Sequence, residues 1–157
     1  MKQDKFLTGI LVGIGALILL ALILFFTRRD GARQYADDSA PDGVVHNYIL
    51  ALLNKDYEKA YGYLADLDHK PAYEEFRQAF FNGSVNVDSA GVEVGAADIF
   101  KDEAAVTLII YYNNSDPFSS RYSREERASL IRQNGAWKIS YMPYQFWAYN
   151  WYQDMKK

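Results

Sequence analysis

The chain has 157 residues, half of them apolar and 24% charged, with a formal net charge of −3 and no cysteine. Without cysteine it is no disulfide scaffold, zinc–cysteine module or thiol enzyme. An aromatic content of 16% argues against disorder. From 42 to 157 it carries 12 Lys/Arg against 16 Asp/Glu, the wrong sign for a phosphate-backbone binder, so no nucleic acid partner is expected.

The first predicted element is a membrane anchor. Phe6 to Phe26 is a run of 21 residues without a charge. At roughly 1.5 Å per residue, a helix over it reaches about 31 Å, close to the hydrocarbon thickness of a bilayer. A cleaved signal peptide would have a shorter apolar region ending in small residues. This run ends Phe25-Phe26-Thr27-Arg28-Arg29 instead. The chain therefore divides into an anchor over 1–27, a linker over 28–41 that closes on Pro41, and a domain over 42–157.

Orientation is weighed by charge. Lys2 and Lys5 precede the anchor; Arg28, Arg29 and Arg33 follow it and would sit among lipid headgroups. The counts nearly balance or favour a cytoplasmic C-terminal side, but a very short basic N-terminus ahead of a large domain commonly exports that domain. A domain outside the cytoplasm is the expectation. Gly9-x-x-x-Gly13 would let two such helices approach closely, so a homodimer through Gly9 and Gly13 is a further expectation.

Three helices are predicted next. In Asp42 to Asn54, Val45, Tyr48, Ile49, Leu52 and Leu53 follow the helical period. Asp56 caps a second helix to Ala65, with Tyr57, Ala60, Tyr61 and Leu64 on its stripe. The third runs from Pro71, suited to a first turn, to Asn82, with Gly83 at its C-terminal end.

After Gly83 the period falls to 2. Val85 and Val87 alternate, as do Val92 and Val94, which reads as strand. Ala104 to Tyr112 is apolar on both faces, predicting a central strand covered on both sides. Gln133-Asn134-Gly135-Ala136 is a hairpin turn of type I′, because Asn-Gly supplies two positive-φ residues. Its return strand is Trp137 to Tyr141, with Trp137, Ile139 and Tyr141 on one face. Trp137 is expected in the core beside Phe76 and Phe80. The fold class is α+β, with three helices packed on one face of a curved antiparallel sheet.

This order, with Asn54-Lys55-Asp56-Tyr57-Glu58-Lys59-Ala60-Tyr61 at the first helix junction and Asn134-Gly135-Ala136-Trp137-Lys138-Ile139 at the last hairpin, resembles the nuclear transport factor 2-like (cystatin-like) superfamily over roughly 42–146. The resemblance implies a half-open cone. Trp137-Lys-Ile-Ser-Tyr-Met-Pro-Tyr-Gln-Phe146 is similar to the end of the membrane-tethered domain that precedes the transpeptidase in some penicillin-binding proteins. That likeness implies a domain outside the cytoplasm. No transpeptidase follows here, so no catalytic role is carried over.

Members of the superfamily that are isomerases or dehydratases use a pocket Asp/His or Asp/Tyr pair. The alternative reading is therefore a small enzyme with a base drawn from Asp66, Asp68, His46 or His69 and a Tyr as oxyanion donor. Neither His has an i, i+4 partner that would bind metal, and no cofactor is indicated. Asp98 and Asp102 read as a solvated turn, and Glu74 and Glu75 as helix-dipole partners. Arg121, Arg124, Arg127 and Arg132 interleave with Glu125 and Glu126, a mixed-charge exposed face.

Tyrosine is the unusual feature, with 13 in the chain. A ring with one polar tip can line a pocket or an interface. The tail after Tyr141 is dense in Tyr, Phe and Trp, residues favoured at protein and membrane interfaces. Its Tyr144, Phe146 and Trp147 are expected to pack on the domain, with Trp151 and Tyr152 more exposed. The candidate ligand-binding residues are Tyr48, Tyr63, Tyr111, Tyr141, Phe146, Trp147 and Trp151, with no catalytic residue among them. The expected function is that of a membrane-anchored, non-catalytic domain that binds a protein partner, a cell-envelope component or a small ligand. A self-associating structural subunit is the third reading.

Overall fold

The computed structural model describes residues 5–31, 34–112 and 122–153, and the side chains of the first helix from 8 to 24. The chain separates into two units, Met1–Gln34 and Tyr35–Lys157. The first is one helix, α1, Lys5–Gly31. Its described side chains are all exposed, and no atom lies near the Cβ positions of Gly9 and Gly13. Among the described residues, no helix is long and apolar enough to cross a membrane.

The second unit is α+β. Three helices, α2 (Pro41–Leu53), α3 (Tyr57–Gly62) and α4 (Tyr73–Phe81), precede four strands: β1 (Ala90–Phe100), β2 (Glu103–Tyr112), β3 (Ser123–Gln133) and β4 (Ala136–Tyr141). The strands form an antiparallel meander in the order β1-β2-β3-β4. Asn134 and Gly135 both have positive φ, as the type I′ turn requires. One sheet face carries Ala104, Val106, Leu108, Ile110, Ala128, Leu130, Trp137 and Ile139 into the core, against α2 and Phe76 of α4.

Several expectations need correction. The linker does not run to Pro41 as a free tether. The Asn47 side chain, 1% exposed on α2, accepts from Ala36 N–H at 2.6 Å, donates to Ala36 C=O at 2.8 Å, and donates to the Asp38 carboxylate. It thus pairs with the backbone as a neighbouring peptide would. Tyr63 also donates to Asp38, at 3.3 Å. A Cβ on Gly43 would collide with the Asp37 carbonyl, so the glycine permits this close approach. Residues 36–38 are a strap docked on the domain.

The second helix stops at Gly62, not Ala65. Ile139 N–H donates to Tyr63 C=O and Ala65 N–H to Ile139 C=O, both at 2.8 Å, so strand pairing with β4 takes the chain away from helix. The third helix begins at Tyr73, because Pro71 is held outside it by a 2.9 Å bond from the Tyr61 hydroxyl to its carbonyl. Val85 and Val87 are not in a strand. The Asn86 side chain accepts from Asp88 N–H and sets a 3-10 turn over Val87–Ser89.

The outer face of β2 is half-buried, not covered, because the helices occupy one side of the sheet only. Tyr141 is exposed rather than in line with Trp137 and Ile139; a register irregularity between Ser129 and Leu130 faces it on β3. Trp137 is buried. The indole that pairs with Phe76 and Phe80, however, is Trp151, at 4.9 and 6.1 Å between ring centres.

The two sheet edges differ. The outer edge of β4 meets residues 63–65. The outer edge of β1 has no strand beside it among the described residues. β1 pairs regularly with β2 over Ala90–Val94; a bulge then interrupts the register before Ala97.

Candidate functional site

An open groove of about 740 Å³ lies on the domain. Its apolar floor comes from Leu52 and Leu53 at the end of α2, Tyr57 of α3, Phe80 and Phe81 of α4, and Val85 beyond it. The local sequence explains why apolar side chains are left open here. Neighbours on a helix point about 100° apart, so α4 cannot bury both Phe80 and Phe81 with Phe76. Phe76 is fully buried, Phe80 half-buried, and Phe81 65% exposed. Tyr57 stacks on Phe80 at 5.2 Å and meets Phe81 at 5.6 Å.

Charges rim this floor. Lys55, at positive φ, and Asp56 form the α2–α3 turn, fixed by Asp56 N–H on Ala51 C=O at 2.9 Å and by the Asp56 carboxylate on Lys59 N–H at 3.2 Å. Arg77 binds Glu74 at 2.9 Å and lies over the Phe81 ring. Glu58 and Asp88 complete the rim. Such a groove can take a large apolar side chain on its floor and charged groups at its edge. The Phe80-Phe81 doublet was the available signal for it, since one face of a short helix cannot bury both.

The sequence-predicted residues lie elsewhere. Tyr48 is fully buried and donates to Phe146 C=O at 2.8 Å; Phe146, Trp147 and Trp151 are buried too. Trp147 meets Trp151 edge-on at 5.2 Å and stacks on Tyr152 at 5.4 Å. These four form part of the core, and Trp151 also borders a smaller depression, with Glu75 and Asn150. Tyr63 is buried beside Asp38. Tyr111 donates to Glu93 at 2.9 Å on the other sheet face, and Tyr141 is exposed. The tail expectation is corrected at three positions: Tyr144 is 63% exposed, Trp151 is 2% exposed, and Tyr152 is half-buried, its hydroxyl donating to Ala65 C=O.

Asp66, Asp68 and His69 are exposed and His46 half-buried. Asp66 sits 4.0 Å from Lys70. Arg124 and Arg127 are exposed beside Glu125; Arg121 lies outside the described residues. Among the described residues no group of three or more His, Asp or Glu is placed to hold a metal ion.

A polar cluster sits where the tail crosses β2. Gln145, 2% exposed, donates to the Tyr112 hydroxyl at 2.7 Å, and Tyr144 donates to the same oxygen at 3.4 Å. Tyr112 in turn reaches Glu126 at 3.4 Å. The Tyr144 hydrogen bond, then burial, push Tyr112 up to about 12. Burial, then the Asp38 carboxylate, push Tyr63 up to about 12. Burial raises Tyr48 and Tyr152 as well.

No protein family description matches the chain, and no curated protein matches it. One solved structure similar to it is the solution structure of a SEC-C motif containing protein from Rhodopseudomonas palustris. The two share 13% identity at a TM-score of 0.46, over 68% of this chain and 79% of that one.

Proposed function

We propose that the chain is a membrane-anchored, non-catalytic binding domain of the nuclear transport factor 2-like type, held outside the cytoplasm, which captures a protein partner. The observation that carries the reading is the open groove, whose floor leaves Phe81 and Leu53 to solvent inside a rim of both charge signs. Large apolar side chains in a charged rim are the makings of an interaction surface. The anchor rests on the uncharged run Phe6 to Phe26 and on a helix that continues to Gly31. The fold type rests on the order of three helices and a four-strand meander.

Two measurements test this. The full chain should stay with membranes through alkaline extraction; recovery in the supernatant would remove the anchor. A reporter active only outside the cytoplasm, fused after Lys157, should be active. Activity of a cytoplasm-only reporter at that position would reverse the orientation.

A further inference from the structure

We infer that the open edge of β1 and the groove form one docking site for an extended segment of a partner protein; this rests on the partner-binding reading above. The segment adds as a strand along Ala90–Val94, where a Lys or Arg faces Glu93, and past Ala90 it lays a large apolar side chain on the groove floor.

The two edges of the sheet carry the first part of the argument. β4 has its outer edge met by Tyr63–Ala65 through two 2.8 Å hydrogen bonds. β1 has no such neighbour among the described residues. An edge strand presents a row of backbone N–H and C=O groups to whatever comes alongside, and an extended peptide backbone is the group that matches them. The regular stretch, Ala90–Val94, ends at the bulge, so it offers about five residues of ladder.

The groove is continuous with that stretch. Val87 and Asp88 line it from the 3-10 turn that leads into β1, and Ala90 opens the strand two residues after Asp88. A chain paired along β1 and running back past Ala90 comes to the groove at that turn. Its apolar anchor then meets Phe81, Phe80 and Leu53.

Charge gives the partner its sign. Between Val85 and Phe100 the charged residues are Asp88, Glu93 and Asp98, with no Lys or Arg. Glu93 is exposed on the outer sheet face, opposite Ile109. Opposite charges across a strand pair are favourable and like charges are not, so the segment carries Lys or Arg there.

The test uses the full chain in lipid nanodiscs as bait for random dodecamer peptides displayed on phage. Enriched peptides should alternate, carry one Phe, Trp, Leu or Ile anchor, and hold Lys or Arg several residues from it within the alternating stretch. Their affinity should fall at least tenfold in both Phe81→Ala and Glu93→Lys. Both side chains are exposed, so both variants should melt with the parent chain. Saturating peptide should also slow amide exchange at residues 90–94.

Enriched peptides that ignore either variant overturn this site and leave the partner-binding reading standing. No enrichment over empty nanodiscs overturns the site and withdraws support from that reading as well. Slow exchange at 90–94 in the peptide-free chain, tracking a concentration-dependent dimer, would put a second copy on the edge and overturn the partner segment.

Discussion

Two aromatic regions of the domain behave in opposite ways. The tail from Met142 to Tyr152 has the denser run of rings, yet Phe146, Trp147 and Trp151 are buried. The end of α4 has a single Phe-Phe pair, yet Phe81 is 65% exposed over an open groove. Ring density measures how much apolar surface a segment must hide. What leaves a ring open is a conflict of geometry, here two adjacent phenylalanines on a helix with one face to bury.

The strongest way to break this comparison is to cut the chain after Tyr141. Each buried large apolar side chain contributes on the order of 1.5–3 kcal/mol, and at least four tail residues are buried: Met142, Phe146, Trp147 and Trp151. That sum is comparable with the whole stability of about 5–15 kcal/mol typical of a domain. The truncated chain should lose its cooperative melt by circular dichroism; a melt near the parent's would make the tail an appendage.

Single substitutions sharpen it. Trp151→Ala and Phe76→Ala should each cost about 3–5 kcal/mol in denaturant titrations, as for other large core truncations. Trp137→Ala belongs with them, being buried on the core face of β4. Phe81→Ala should stay within about 0.5 kcal/mol, as surface changes do. Equal costs at 81 and 151 would erase the distinction between groove and tail.

The strap offers a smaller test of burial away from aromatics. Asn47→Ala removes hydrogen bonds to Ala36 and Asp38 and should cost about 1–3 kcal/mol. Gly43→Ala should release the same segment through its clash with Asp37. In both variants, amide exchange at Ala36 should rise; unchanged exchange would show that the strap is held by other contacts.

The least steep effect is with pH. Tyr63 and Tyr112 are held near 12, and Tyr48 and Tyr152 are also raised, whereas unfolded tyrosines ionise near 10. Above pH 10 the unfolded chain therefore gives up protons first, and stability falls toward pH 12; below 10 this contribution is complete. The denaturant midpoint should hold from pH 7 to 9 and drop between 10 and 12. A midpoint unchanged between pH 10 and 12 would mean these hydroxyls are open to water, with the same pKa folded and unfolded.

The elements that repeat a period were legible in the sequence. The α2 stripe, the Asp56 cap, the β2 and β4 strands and the Asn134-Gly135 turn follow from residue spacing alone. Boundaries set by a distant partner were not. Gly62 ends α3 because Tyr63 and Ala65 bond to Ile139, 76 and 74 positions further on. Asn47 lies outside the α2 stripe that the period marks, yet it is the buried clasp of the strap. The candidate site was illegible for a related reason. Tyrosine content drew attention to rings that pack on each other, whereas the groove arises from where α2, α3 and α4 end relative to one another.

The bulge after Val94 has a consequence for solubility. An open strand can recruit copies of itself, each addition exposing a fresh edge, until the chain is lost to fibrous aggregate. Six or seven uninterrupted residues are the usual length of a segment that propagates in this way. β1 stops being regular after Ala90–Val94, and Gly95 and Ala96 then carry it out of register with Asp98 behind them. Straightening that bulge, by deleting one of its residues, would turn an edge of limited reach into one long enough to seed.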